Sequence, residues 1–204
     1  MNRLRLLPAV AALALVTACA PPAPVAVRPD ADRSAQWLQH RAAIADIAAF
    51  TLSGRLSTGN IASAQLHWRQ DGERFSARAS GPFGSGAVAL SGTPSAVRIR
   101  TGEGTIETDA PGPWMQRNLG WQLPIGGLRY WAIGLPMPGA AASYSFNADG
   151  RLAELTQGGW TIAFIDYTDV DGTALPARMR LSGDDDLDVL LRVDRWQRVT
   201  RGAP

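Results

Sequence analysis

From residue 50 onward, apolar side chains recur at every second position, and this alternation constrains the fold more than any other feature of the chain. Phe50, Leu52, Gly54 and Leu56 alternate with Thr51, Ser53, Arg55 and Ser57; Ala64, Leu66 and Trp68 alternate with Gln65, His67 and Arg69. A period of two puts the apolar set on one face and the polar set on the other, the pattern of half-buried antiparallel strands. Further strands are predicted over 74–80, 86–91, 96–101, 105–108, 143–147, 153–156, 160–167, 177–182 and 187–196. Turn-forming residues such as Asp71-Gly72, Gly92-Thr93-Pro94, Gly158-Gly159 and Asp171-Gly172 separate most of them. The expectation is a mainly β (α+β) chain built on one large antiparallel sheet.

Helical spacing occurs in three places. Over 34–50, Trp37, Leu38, Ile44, Ile47 and Ala48 recur at three- and four-residue steps behind a possible N-cap at Ser34, which predicts an amphipathic helix lying on an apolar surface. Segments 113–119 and 128–133 are short and rich in Trp, Leu and Ile. A sheet of about ten strands curls readily, so these helices can plug its open side over an apolar cavity.

The N-terminal residues carry a different message. Arg3 and Arg5 precede an apolar stretch over 6–16, broken only by Pro8, and small residues lead to Cys19. The stretch is shorter than the ~20 apolar residues a membrane-crossing helix needs, so residues 1–18 read as a cleaved signal peptide. Val16-Thr17-Ala18-Cys19 reads as a lipobox, with Cys19 as the lipidated residue. Cys19 is the only cysteine, which leaves no intrachain disulfide even in an oxidising compartment. Ala20 in place of an aspartate favours the outer membrane, on its periplasmic face. Residues 19–33 suit a flexible tether, and 34–204 a single domain.

All twenty basic residues are arginine. Two leave with the signal, so eighteen arginines then balance eighteen carboxylates and no net charge supports a nucleic-acid partner. Nucleophilic catalysis has little to work with, because the mature chain offers only His40 and His67 as bases and no free thiol. His67 lies on the strand face opposite Leu66 and Trp68 and is expected to be solvated; His40 is placed near the polar side of its helix. Residues 169–172 resemble part of a calcium loop but lack its other ligands, and 184–186 are an aspartate run between strands; both read as solvated hairpin tips. No enzyme is expected. Seven tryptophans exceed the five phenylalanines, which suits either a packed core or a lipid-binding cavity.

Three stretches resemble the LolB family, the outer-membrane lipoproteins that receive other lipoproteins from the periplasmic carrier LolA. They are Gln36-Trp37-Leu38-Gln39-His40 through Ile44, Ile47, Phe50 and Gly54-Arg55-Leu56; Gly81-Pro82-Phe83-Gly84-Ser85; and Leu123-Pro124-Ile125 through Leu128-Arg129-Tyr130-Trp131-Ala132-Ile133-Gly134-Leu135-Pro136. Leu175-Pro176 and the final strand near Trp196 continue the likeness, while Phe83 stands where the family usually has leucine and 104–113 is unusually rich in Gly and Pro. The resemblance implies an incomplete antiparallel β-barrel of about eleven strands with helices in its mouth, no ATP or metal cofactor, and transfer of acyl chains from carrier to receptor to bilayer.

Within that frame Pro82, Phe83 and Gly84 are the expected membrane-insertion loop. Leu66, Trp68, Phe75, Leu90, Trp131, Ile133, Trp160 and Phe164 are the expected cavity lining, and Arg117 and Arg129, on the two lid helices, the expected carrier-docking residues. The expected partners are lipoprotein-loaded LolA, acylated cargo and outer-membrane phospholipid, the protein itself acting as a monomer. Competing readings are the soluble carrier of the same fold, a lipid-anchored structural or assembly barrel, and an anchored periplasmic hydrolase.

Overall fold

The computed structural model describes residues 30–58, 61–119, 124–183 and 187–201. Cys19, the signal and most of the tether lie outside the described residues. A helix α1 (Asp30–Ala45) leads into β1 (Ile47–Thr58), β2 (Ile61–Asp71), β3 (Arg74–Ser80), β4 (Val88–Thr93), β5 (Ala96–Thr101) and β6 (Gly104–Thr108). Two helices follow, α2 (Pro111–Leu119) and α3 (Ile125–Ala132), and then β7 (Ala142–Phe146), β8 (Leu152–Gln157), β9 (Trp160–Val170), β10 (Thr173–Ser182) and β11 (Asp188–Arg201). The eleven strands form one antiparallel sheet in the order β6-β5-β4-β3-β2-β1-β11-β10-β9-β8-β7. It is an open sheet with free edges at β6 and β7, the incomplete barrel expected from the sequence.

Each hairpin pairs neighbours in sequence; the one long connection is between β1 and β11, where Phe50 faces Val199 and Leu56 faces Leu191. Gly54 sits in this ladder, opposite Leu66 on one side and Val193 on the other. A Cβ on Gly54 would fall well inside contact distance of the Arg192 carbonyl oxygen, so only glycine lets β11 close on β1 there.

The apolar phase of the strands forms the inner face. Leu52, Leu66 and Trp68 share one buried cluster with Leu155, Ile162, Phe164, Met179, Leu181 and Leu191, and with Trp37 and Ile44 of α1 and Trp131 and Ala132 of α3. The helix boundaries differ from expectation at both ends. α1 begins at Asp30 rather than at a Ser34 cap, and it stops at Ala45 because Ile47 already belongs to a strand. Ile47 and Phe50, three residues apart, are both buried because the ladder shifts register between Ile47 and Ala49. The extra residue of such a bulge lets a strand imitate a helical step. Leu38, assigned to the apolar face of the helix, is instead 60% exposed.

Candidate functional site

The inner face runs in rows set by the register. Trp68 faces Ala77, Ala77 faces Leu90, Leu90 faces Ile99 and Ile99 faces Ile106. Along this row Trp68 and Ile99 are buried, Ala77 and Leu90 are half-buried, and Ile106 on the edge strand β6 is 42% exposed. At the other edge, Tyr144 of β7 faces the fully buried Leu155 and is 44% exposed. The apolar face therefore emerges into solvent at both ends of the sheet.

Of the eight residues expected to line a cavity, Leu66, Trp68, Trp131, Ile133, Trp160 and Phe164 meet in the central cluster, and Phe75 is half-buried against it. Leu90 is half-buried away from that cluster. Val97, Ile99 and Met115 of α2 are also buried, yet they too lie outside the central cluster. Beyond the central cluster the buried face thus continues on β5 at Val97 and Ile99, with half-buried Leu90 paired to Ile99 from β4.

Two buried glutamines hold this arrangement, and the sequence reading missed both. Gln157, 2% exposed at the end of β8, accepts hydrogen bonds at Oε1 from the Trp131 indole (3.1 Å) and the Met137 amide (2.8 Å), and donates from Nε2 to the carbonyls of Met137 (2.9 Å) and Ala140 (3.1 Å). All four partners lie in α3 and the loop after it, so one side chain fixes the helix to the sheet. Gln70, at the end of β2, accepts from the Trp68 indole at 3.1 Å and donates to the Gly72 carbonyl at 2.9 Å. Both glutamines continue an inward-pointing phase (Leu66, Trp68, Gln70; Leu155, Gln157), and a polar residue in that phase was the available signal. A buried indole N–H needs an acceptor, which each glutamine supplies.

Arg129 and Arg117 do sit on the two helices, in the last turn of each. Arg117 is exposed. Arg129 donates from Nη1 to the Gly72 carbonyl at 2.9 Å and lies over the ring of Tyr130, whose hydroxyl Nη2 also reaches. It thereby clamps α3 to the β2–β3 turn. At the opposite end of the strands, the segment after β3 forms a single 3-10 turn over Pro82–Gly84. Its backbone closes on itself: the Gly81 amide donates to the Ser85 carbonyl at 2.9 Å and the Ser85 amide to the Pro82 carbonyl at 3.2 Å, while Gly84 takes φ +81°. The Phe83 side chain is outside the described residues.

His40 departs from its expected place on the polar side of α1. It is half-buried, its ring 6.2 Å from those of Trp37 and Tyr167, and its Nε2 has no hydrogen-bond partner among the described residues. Burial, and secondarily the Arg151 guanidinium, hold it below the ordinary imidazole value. His67 is exposed, as expected. Among the described residues no three His, Cys, Asp or Glu side chains gather as metal ligands. The Gly172 amide donates to the Asp169 carboxylate at 3.0 Å, and Asp171-Gly172 form the tight turn between β9 and β10, where Val170 pairs with Thr173.

Residues 48–196 match the family model described as outer membrane lipoprotein LolB. The outer-membrane lipoprotein LolB of Stutzerimonas stutzeri is 36% identical over 168 residues, 80% of this chain and 81% of that relative. Its counterpart in Pseudomonas paraeruginosa is 34% identical over 199 residues, 96% of this chain and 97% of the relative. A LolA superfamily protein from Nitrosomonas europaea shares the fold with a TM-score of 0.51 at 10% identity, covering 84% of this chain and 94% of that one. An open eleven-stranded sheet, an apolar inner face held under short helices, and a match that runs from β1 into β11 lead to one assignment: this chain belongs to the LolB family of outer-membrane lipoproteins.

Proposed function

We propose that this protein is anchored at the periplasmic face of the outer membrane by acyl chains on Cys19, accepts acylated lipoproteins from the carrier LolA, and passes them into the inner leaflet. The observation that carries the reading is the emergence of the apolar face at the sheet edges, with Ile106 and Tyr144 exposed where Ile99 and Leu155 behind them are buried. An acyl chain laid along such a face gains ~0.8 kcal/mol for each methylene taken from water. Leu90, half-buried outside the central cluster, marks the place where a chain can enter by displacing the least packing. Phe83 then delivers the cargo: its loop is too small to anchor the protein, and a single buried ring contributes ~1.5–3 kcal/mol at the bilayer interface.

The test is cargo transfer from loaded carrier to this protein and on to liposomes. Phe83→Glu is expected to accept cargo and fail to deliver it, whereas Phe83→Leu delivers normally. Normal delivery by the glutamate variant would remove the loop from the mechanism. A second reading, a structural lipoprotein with a packed interior, draws support from the burial of Leu66, Trp68, Trp131, Ile133, Trp160 and Phe164 in one cluster. It predicts that the protein takes up no fatty acyl probe.

A further inference from the structure

The outer face of the same strands carries a cleft of about 340 Å³ over β2 to β5. Its floor is small: Ser76 pairs with Ser91 across β3 and β4, and Ala89 lies in the neighbouring row. Its walls are arginines. In one row Arg78 and Arg100 flank Ala89 from β3 and β5; in the other, Arg69 and Arg98 stand on either side of the two serines. Strands lie about 4.8 Å apart, so each arginine pair stands a few strand spacings apart over small side chains. Guanidinium groups held in that way match the oxygens of a phosphate. Arg98 is bound to Glu107, by Nε at 2.9 Å and Nη2 at 2.6 Å. Arg69, Arg78 and Arg100 have no carboxylate partner among the described residues, whereas Arg55, Arg178 and Arg180, outward on other strands, each hold an aspartate. Residues 19–204 hold eighteen arginines and eighteen carboxylates, so this is a local segregation of positive charge. Arg78 and Arg100 also lie close in sequence to the turns at the Phe83 end of the strands: Ser80 closes β3 just before Pro82, and Thr101 closes β5.

We propose that this cleft recognises the phosphate of anionic phospholipid headgroups, whose charge no choline offsets, and gives the domain a second, electrostatic hold on the bilayer beside the Phe83 loop. The inference rests on the reading that this end of the strands works against a membrane. An arginine near an anionic bilayer is worth a factor of about five in binding, the ~1 kcal/mol typical of such contacts, so two contribute about twenty-five-fold.

The experiment uses the mature chain from residue 19 with Cys19→Ala, so that no acyl anchor masks the measurement, and compares sedimentation with vesicles of phosphatidylcholine alone and vesicles that also contain phosphatidylglycerol. The expected result is a preference for the anionic vesicles that falls roughly twenty-five-fold in Arg78→Gln/Arg100→Gln and survives in Arg178→Gln/Arg180→Gln, which removes equal charge elsewhere. All four side chains are exposed, and unchanged thermal melting confirms that each variant is folded. Absence of a preference, its survival in the first pair, or an equal loss in both pairs would overturn the proposal. Inorganic phosphate should release the protein from anionic vesicles more effectively than chloride at equal ionic strength, and equal release by the two anions would overturn phosphate recognition. Phe83→Gln, which removes the ring without adding charge, separates this inference from the reading beneath it: it should weaken binding to both vesicle types alike, and if it weakens neither, the insertion loop fails while the arginine result stands.

Discussion

Replacing Gln157 with leucine tests whether one buried side chain fixes α3 to the sheet. The substitution keeps the volume close and removes four hydrogen bonds, to the Trp131 indole, the Met137 amide, and the carbonyls of Met137 and Ala140. Each is worth about 1 kcal/mol net, which sets an upper figure near 4 kcal/mol if nothing replaces them. Met137 and Ala140 are only half-buried, so water can reach their backbone groups; Trp131 is 1% exposed, and its indole stays unpaired at a cost of ~1–3 kcal/mol. The expected loss is therefore ~2–4 kcal/mol, a large share of the ~5–15 kcal/mol that holds a domain together. Urea unfolding followed by tryptophan fluorescence and by far-ultraviolet circular dichroism measures it. The fluorescence transition should move to lower urea ahead of the dichroism, because α3 loosens before the sheet. Gln157→Glu should be at least as damaging, since its second oxygen would face two carbonyls it cannot donate to. A loss below ~0.5 kcal/mol, the range of an ordinary surface substitution, would refute the reasoning.

Gly54→Ala should destabilise the chain by several kcal/mol and shift the urea midpoint accordingly, because its Cβ collides with the backbone of β11 rather than with a movable side chain; wild-type stability would mean that β11 does not close on β1 as described. His40 has a lowered value in the fold, so below about pH 6.5 the unfolded chain binds a proton that the folded one resists, and stability falls as pH drops through that value. His40→Phe should flatten the pH dependence of thermal melting between pH 7 and 5, and an unchanged slope would acquit His40. Arg117→Glu should slow association with the carrier severalfold at low salt and little at high salt, with no change in melting. Arg129→Glu should lower melting as well, since Arg129 also holds the Gly72 carbonyl; equal stability of the two variants would rule out the clamp.

The sheet was readable in the sequence because each half-buried strand writes its own period. Segments 74–80 and 96–101 coincide with β3 and β5, and the other strands lie within a few residues of expectation. The end of α1 was not readable: Ile44, Ile47 and Phe50 satisfy a helical step, and only the bulge at the start of β1 explains that spacing in a strand. The site was readable in part. Inward phase identified Leu66, Trp68, Trp160 and Phe164 as interior, but periodicity is the same for a packed interior and a fillable one, so it could not place Leu90 apart from the central cluster. Gln70 and Gln157 broke the apolar pattern at strand ends, where polar residues usually mark a turn, and their indole partners are distant in sequence or hidden by it. The arginine cleft was out of reach because Arg69, Arg78, Arg98 and Arg100 become neighbours only once the register across four strands is known.

The sheet has two ends that share no ladder, β6 on one side and β7 on the other. A closed barrel has a fixed girth: to admit a wider guest it must break a row of backbone hydrogen bonds. An unclosed one behaves like a split ring, whose circumference can open by changing curvature while every hydrogen bond along it is kept. Under the proposed function, cargo with two or three acyl chains is then admitted by one fold without a separate opened state. The hazard of the split is that bare strand edges invite pairing with another chain, and here both edge strands are only five residues long, against eleven and twelve for β2 and β1. Short edges offer little to zip onto, which lets the ring stay open without becoming adhesive.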